Sequence, residues 1–381
     1  MTGQRTVLML SNRQHRAAGA GPENEHSREL LANRGWDIER VHVQTDSIAG
    51  LITGTVRALS VAIRSDIAVV DSHCSPPELQ IVGLIVSTLA AKPWLAEFRD
   101  PLVTNVHVKP GSLSSYLRQL LERIIVTAAD RVVWWNGIQM DENYFEQTYP
   151  GLPDTMWQNI PELGFGGLNA EAFESADSKT FNEFTLVYAG SFYEGWIEPY
   201  DFFEGVARYR ESGGDPLNVQ FYGDWRQPYW SAAEDLSIAE WIEPMDAIPH
   251  DELISVLKGA DALLYVGGTD PQNRQNIPLK LCDYVGARTP ILGIVDPEFR
   301  AATLLSDHNL GIVASPRDPD DIANAIKQLQ RGVVEFDPDE QVFEWFSSDR
   351  AMDRYAALLS AVADGVPPTE RFGDLPDVNP P

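Results

Sequence analysis

Short apolar runs of strand length, separated by stretches of helical length, are what most limit the folds open to this chain. The clearest example is DALLYVGG (Asp261–Gly268), then a polar loop, a short amphipathic helix starting close to Pro278, and a second apolar run, Pro290–Val295. Such runs read as buried parallel strands joined by right-handed crossovers. A strand–loop–helix–strand unit presents the amides of a helix N-terminus to an anion. The stretch DPQNRQNIPLKLCDYVGARTPIL (Asp270–Leu292) is therefore where a phosphorylated ligand is expected. Its helix has Lys280 near the start and Asp283 one turn later.

The same rhythm runs through most of the chain. Strands are expected at Thr6–Leu10, Trp36–Val43, Ile67–Asp71, Trp94–Phe98, Arg131–Trp135 and Thr155–Ile160, with helices at Glu23–Arg34, Pro77–Ala91, Ser112–Ala128 and Gly137–Gln147. A stretch rich in Gly, Ala, Ser and acids breaks the alternation after Gly164. It reads as a linker. Alternation restarts at Phe184–Ala189 and continues through strands at Leu217–Tyr222, Ala239–Glu243, Asp261–Gly268, Pro290–Val295 and Gly311–Ala314. The expected organisation is a first α/β domain over 1–165, a linker over 166–182, a second α/β domain over 183–340, one C-terminal helix over 341–364, and a loose, Pro-containing tail over 365–381. In doubly wound sheets ligands sit at the carboxyl ends of the strands, so a cleft between the domains is the expected site.

Composition narrows the function classes. A chain of 381 residues with 44% hydrophobic content has material for two cores. A net charge of −27 argues against a nucleic-acid partner. The six Lys against 23 Arg suit either a high-salt cytoplasm or a GC-rich genome. No run reaches bilayer-spanning length and no leader pattern stands at the start, so a cytoplasmic protein is expected. Peripheral membrane contact stays open; the apolar residues around Arg118 and Arg123 are expected to pack in a core. Cys74 and Cys282 have no paired spacing, so neither zinc nor a disulfide framework is expected. No metal-binding carboxylate cluster stands out, and no cofactor is expected.

Four stretches of the second half, LVYAGSFYEG (Leu186–Gly195), FYGDW (Phe221–Trp225), IEPMDAIPHDELISVLKGADALLYV (Ile242–Val266) and IPLKLCDYVGARTPIL (Ile277–Leu292), resemble GT-B glycosyltransferases of family 4, the retaining, nucleotide-sugar-dependent group. In the first half, GPENEHSRELLANRGWDI (Gly21–Ile38) and EFRDP (Glu97–Pro101) are similar to that group more loosely. The resemblance implies the GT-B architecture, two Rossmann-like parallel-sheet domains facing a central cleft. It implies donor contacts from Gly190, Ser191, Met245, Asp246, Asn276, Ile277, Pro278, Leu279, Lys280 and Asp283. The amides of Asn276–Leu279 and Lys280 would take the diphosphate, and Asp283 the ribose hydroxyls. Gly19, Ala20 and Gly21 would form an acceptor or phosphate loop, and Arg99 and Asp100 would stand at a strand end near the donor sugar.

The chain departs from that pattern in two places. Eight residues before Asp283, where the group has an acid, stands Gln275, which can hydrogen-bond a sugar but carries no charge. The loop GSFYEGWIEPY lacks the usual cation, with Trp196 about where one is expected; Arg226 and Arg274 are the candidate substitutes. The catalytic set implied is Arg99, Asp100 and Gln275. The expected function is transfer of a sugar, with retention, from a nucleoside diphosphate sugar to a sugar-bearing, lipid-linked or small-molecule acceptor. The alternatives are a catalytically weakened nucleotide-binding or scaffold subunit and a sugar-nucleotide epimerase.

Overall fold

The computed structural model describes residues 4–12, 24–73, 76–99, 101–103, 108–109, 111–135, 144–152, 160, 163–334 and 336–366. The chain forms two compact units, one of residues 1–167 with 347–380 and the other of 168–346.

Five parallel strands make the sheet of the first unit: β1 (Arg5–Ser11), β2 (Trp36–His42), β3 (Ile67–His73), β4 (Trp94–Phe98) and β5 (Arg131–Trp134), in the order β2-β1-β3-β4-β5. Val7 to Leu10 of β1 are fully buried, as a strand covered on both faces requires. The direction of winding reverses between β1 and β3. Six parallel strands make the second sheet: β6 (Thr185–Ala189), β7 (Asn218–Tyr222), β8 (Ile242–Met245), β9 (Ala262–Gly268), β10 (Ile291–Val295) and β11 (Gly311–Ala314). Their order is β11-β10-β9-β6-β7-β8, so the winding reverses between β6 and β9. Both units are Rossmann-like, as the apolar rhythm implied.

Five differences from the sequence reading have physical causes. The segment expected as one C-terminal helix is two, Glu340–Phe346 and Ser348–Ala363, because the Ser347 side chain caps the second by accepting from the Arg350 amide. The first belongs to the second unit and the second to the first. In the first unit, Met352, Tyr355, Leu358 and Leu359 join a core with Val7, Leu31 and Trp36. Arg34 secures the same helix by donating to Asp353 (2.6 Å) and Asp349 (3.0 Å).

Helix Ile48–Ala62 has no counterpart in the sequence reading; it buries only small residues, Gly50, Gly54, Ala58 and Ala62. Gln227–Asp235, where the sequence reading places no element, is helical with Pro228 in its first turn, where proline is tolerated. A 3₁₀ turn, Ala239–Trp241, replaces the start of the expected strand, and β8 follows it. Finally, helix Leu113–Ala128 buries only part of the apolar residues around its arginines: Ile125 and Val126 join a core, whereas Leu113, Tyr116, Leu117, Leu120 and Ile124 are exposed. The expected strand at Thr155–Ile160 and much of the helix at Gly137–Gln147 lie outside the described residues, whereas Tyr144–Thr148 is helical.

Candidate functional site

The second sheet opens at its reversal point. β6 and β9 pair only through Leu186↔Ala262 and Val187↔Leu263. Beyond that register the Tyr284 hydroxyl takes over: it accepts from the Ala189 amide (2.9 Å) and donates to the Leu264 carbonyl (3.0 Å). A side chain from helix Lys280–Ala287 thus props apart the ends of two parallel strands, in the position where open α/β sheets bind ligands.

Lys280 starts that helix. Its Nζ donates to the Tyr188 hydroxyl at 2.7 Å, and that hydroxyl donates to the Ser191 carbonyl at 3.0 Å. Ser191 Oγ in turn donates to Asp224 Oδ2 at 2.9 Å. Burial pulls the Lys280 pKa down to about 7. The ammonium lies so close to the β6 turn that a Cβ on Gly190 would stand 2.9 Å from Nζ. Gly190 also has φ +127, a conformation that L side chains rarely adopt. Gly223 abuts the same turn, where a Cβ would meet the Gly190 carbonyl oxygen at 2.5 Å. Lys280, Gly190 and Ser191 are therefore brought together.

The loop between β9 and this helix is built on Asn273, which sequence reasoning did not single out. It is buried and donates from Nδ2 to the Gly267 carbonyl at 3.1 Å. The Asn276 amide is spent within the loop, on the Asn273 carbonyl at 2.9 Å, and Pro278 has no N–H. Of the four amides expected for a diphosphate, only those of Ile277 and Leu279 are left to serve. Gln275 is half-buried in this loop, Ile277 is buried and Leu279 is exposed.

Asp283 is one turn into the helix and mostly buried. His250 Nε2 stands 2.9 Å from its Oδ1, a partner not anticipated from sequence. That hydrogen bond raises the His250 pKa against the opposing effect of burial. A carboxylate held through one oxygen keeps the other for a pair of vicinal hydroxyls. Met245 ends β8 and its carbonyl accepts from the Gly223 amide (3.4 Å); Asp246 follows, exposed. The two candidate cations are engaged by acids: Arg226 with Glu194 at 2.7 Å and Arg274 with Glu298 at 3.2 Å, all on the surface. Trp225 and Tyr229 pack with Phe221 and Phe192 in an aromatic cluster.

In the first unit, Gly19, Ala20, Gly21 and Asp100 lie outside the described residues. Arg99 is described and half-buried just beyond β4, its guanidinium 6.0 Å from the Trp135 ring. Around the ends of β3 and β4, Asp71, His73 and Glu97 bring ligand-type atoms within 4.8 Å of one another, all buried. His73 Nδ1 meets Glu97 Oε2 at 2.8 Å, and the Tyr355 hydroxyl donates to Asp71 Oδ2. Burial and the neighbouring Glu97 charge hold the Asp71 pKa well above the carboxylate range. Burial opposes ionisation of Glu97 too, but the His73 charge and hydrogen bond outweigh it and lower its pKa. Arg99 favours the ionised form of both carboxylates. The donor set has metal-ligand chemistry, but a cation there would have to part the His73–Glu97 pair and accept the field of Arg99.

No protein-family model and no curated protein matches the sequence. Solved structures do match, over almost the whole chain. Anabaena HepE, solved in complex with UDP, is 13% identical with a TM-score of 0.57, covering 94% of this chain and 97% of that one. The lipopolysaccharide outer core galactosyltransferase WaaB is 11% identical with a TM-score of 0.58, covering 93% and 99%. The UDP-GlcNAc 2-epimerase of Methanocaldococcus jannaschii is 10% identical with a TM-score of 0.55, also covering 93% and 99%. The fold is therefore the GT-B fold that glycosyltransferases and such epimerases share, with two parallel-sheet, Rossmann-like units.

Proposed function

We propose that the protein is a retaining glycosyltransferase that moves a sugar from a nucleoside diphosphate sugar to a glycan, lipid-linked or small-molecule acceptor. The observation that carries this reading is Lys280, a half-buried ammonium with no carboxylate partner among the described residues, placed beside the Cβ-free Gly190 at the reversal point of the second sheet. A cation so placed suits a diphosphate, and Asp283, one helical turn on, suits a ribose.

In this reading the amides of Ile277 and Leu279 assist Lys280, Met245 and Asp246 flank the base, and Gln275 hydrogen-bonds the donor sugar. Arg99 and Asp100 are the other proposed catalytic residues, and Gly19, Ala20 and Gly21 are proposed for the acceptor or a phosphate. The leaving diphosphate, held by Lys280 and the amides, departs with its developing charge compensated and helps receive the acceptor's proton. HepE, with its bound UDP, makes uridine diphosphate the first ligand to try. The test is calorimetric titration of UDP and GDP, with turnover over a panel of nucleotide sugars, on the wild type and on K280A and D283A. Binding that both substitutions weaken, together with transfer, supports the reading; no nucleotide binding at all sinks it.

A second reading, a weakened GT-B subunit that binds nucleotide without turnover, is favoured by the ion pairs that engage Arg226 and Arg274. The same titration separates it, because binding would then occur without transfer. The epimerase reading gains a His–carboxylate cluster in Asp71, His73 and Glu97, yet those groups are buried and bonded to one another or to Tyr355. Epimerised product in the same assay would restore it.

A further inference from the structure

One face of the first unit is apolar where a water-facing helix layer should be polar. Helices Ile48–Ala62, Glu78–Ala90 and Leu113–Ala128 are neighbours, the middle one touching both others. The first turns small residues inward and exposes Ile48 (79%), Ile52 and Val56 at intervals of four. The second exposes Ile81, Ile85 and Leu89 at the same interval. The third exposes Leu113, Tyr116, Leu117, Leu120 and Ile124, a single helical stripe. Together they expose on the order of 1,000 Å² of mostly aliphatic side chain, against about 300–600 Å² for the largest patch of a typical monomer. Between the first two helices runs an aliphatic groove of about 290 Å³, lined by Ile52, Val56, Ile81 and Ile85 among others.

We propose that this face docks on the surface of an anionic lipid bilayer. Two observations select a bilayer over a protein. The first is charge. In a chain of net charge −27, these helices hold three arginines, Arg57, Arg118 and Arg123, against two carboxylates, Glu78 and Glu122. Glu122 is buried, accepts from Tyr144 and Tyr149, and is pushed by burial up to about 7. A second copy would set arginines against arginines, whereas anionic headgroups pair with them and the arginine stems reach past the aliphatic side chains.

The second observation is hydrogen bonding. The hydroxyls of Thr53, Thr55, Ser60, Ser87 and Thr127 all donate to carbonyls of their own helices. Such hydroxyls need nothing from outside, which suits a surrounding that offers few partners. Among the described residues no helix is long and apolar enough to cross a membrane, so the contact is with one leaflet. The proposal rests on the first unit and does not depend on the nucleotide site.

The test is flotation of the full chain with vesicles of phosphatidylcholine, alone or mixed with phosphatidylglycerol, alongside light scattering of the lipid-free protein. Wild type should float with the mixed vesicles and less with the neutral ones. Two variants disrupt different helices, I52D/I85D and L117D/L120D; each should lower binding at least about tenfold, as losing two buried aliphatic side chains implies. V333D alters an exposed aliphatic residue of the second unit and should float like wild type. Binding to neither vesicle, or flotation that the aspartates leave unchanged, overturns the proposal. A lipid-indifferent wild-type dimer that the aspartates dissociate also overturns it and makes a second copy the occupant.

Discussion

Lys280 Nζ donates to the Tyr188 hydroxyl at 2.7 Å, with the ring centre 3.9 Å away. Burial brings the ammonium's pKa to about 7, so near neutrality the side chain is only partly charged. A diphosphate needs the charged form. Binding should therefore take up a proton, and affinity should fall as pH rises above 7, by up to about tenfold per unit. Calorimetry of UDP from pH 6 to 9, in two buffers of different ionisation enthalpy, reads both quantities. K280M supplies the reference for ionisation of the ligand itself; a wild-type profile that parallels it would remove Lys280 from the diphosphate site.

Tyr188 orients that ammonium and ties it to the Ser191 turn. Y188F keeps the ring in its aromatic stack with Phe192 but removes both hydrogen bonds. Loss of the hydroxyl should destabilise the fold by about 1–3 kcal/mol, since the polar groups it served lose their partner. UDP binding should weaken several-fold. Urea unfolding and calorimetry give the two numbers, and an unchanged Kd would show that Lys280 needs no such support.

G190A acts on the same turn from the backbone. The φ of +127 strains any L side chain, by about 1–3 kcal/mol. The new methyl would also stand 2.9 Å from Lys280 Nζ. A lysine end can swing away, so the protein should fold and lose about tenfold in diphosphate affinity, a ~1.4 kcal/mol effect. Wild-type affinity in a folded G190A protein would show that Lys280 does not need its present place.

Strands such as β6, β9 and β10 were legible because each is an unbroken apolar run buried on both faces, and Lys280 and Asp283 because their spacing on one short helix is local. Their partners were not. Tyr188 is 92 residues from Lys280, Tyr284 is 95 from Ala189, and His250 is 33 from Asp283. Only the strand order brings these pairs together. Helix Ile48–Ala62 went unread because it buries Gly50, Gly54 and Ala58 and turns Ile48, Ile52 and Val56 outward, the reverse of the usual amphipathic signal. The break at Ser347 was hidden because the helices on either side are both rich in apolar residues, and only the serine cap separates them.

His250 and Asp283 give the site a second titration. The hydrogen bond to Asp283 raises the His250 pKa above its ordinary value. A raised folded-state pKa contributes stability that is fully present below the unfolded value, about 6.5, and is lost as pH rises through the folded value. The melting temperature of wild type minus that of H250Q should therefore be largest near pH 5 and shrink above neutrality. D283N should abolish the difference. A gap between wild type and H250Q that is constant with pH would mean that the pair stays in one protonation state throughout.

Tyr355 ties the returning C-terminal helix to the interior of the first unit, where its hydroxyl donates to Asp71 Oδ2. Both residues are fully buried, so neither has water to replace a lost partner. Y355F keeps the ring against Trp135, at a centroid distance of 5.5 Å, and removes only the hydrogen bond. It should destabilise the fold by about 1–3 kcal/mol in urea unfolding. D71N alters the other end of the contact, and the double variant should be less unstable than the two single effects added together, because both remove the same interaction. Strict additivity would show that the helix is held by its apolar face and the Arg34 ion pairs without help from this bond.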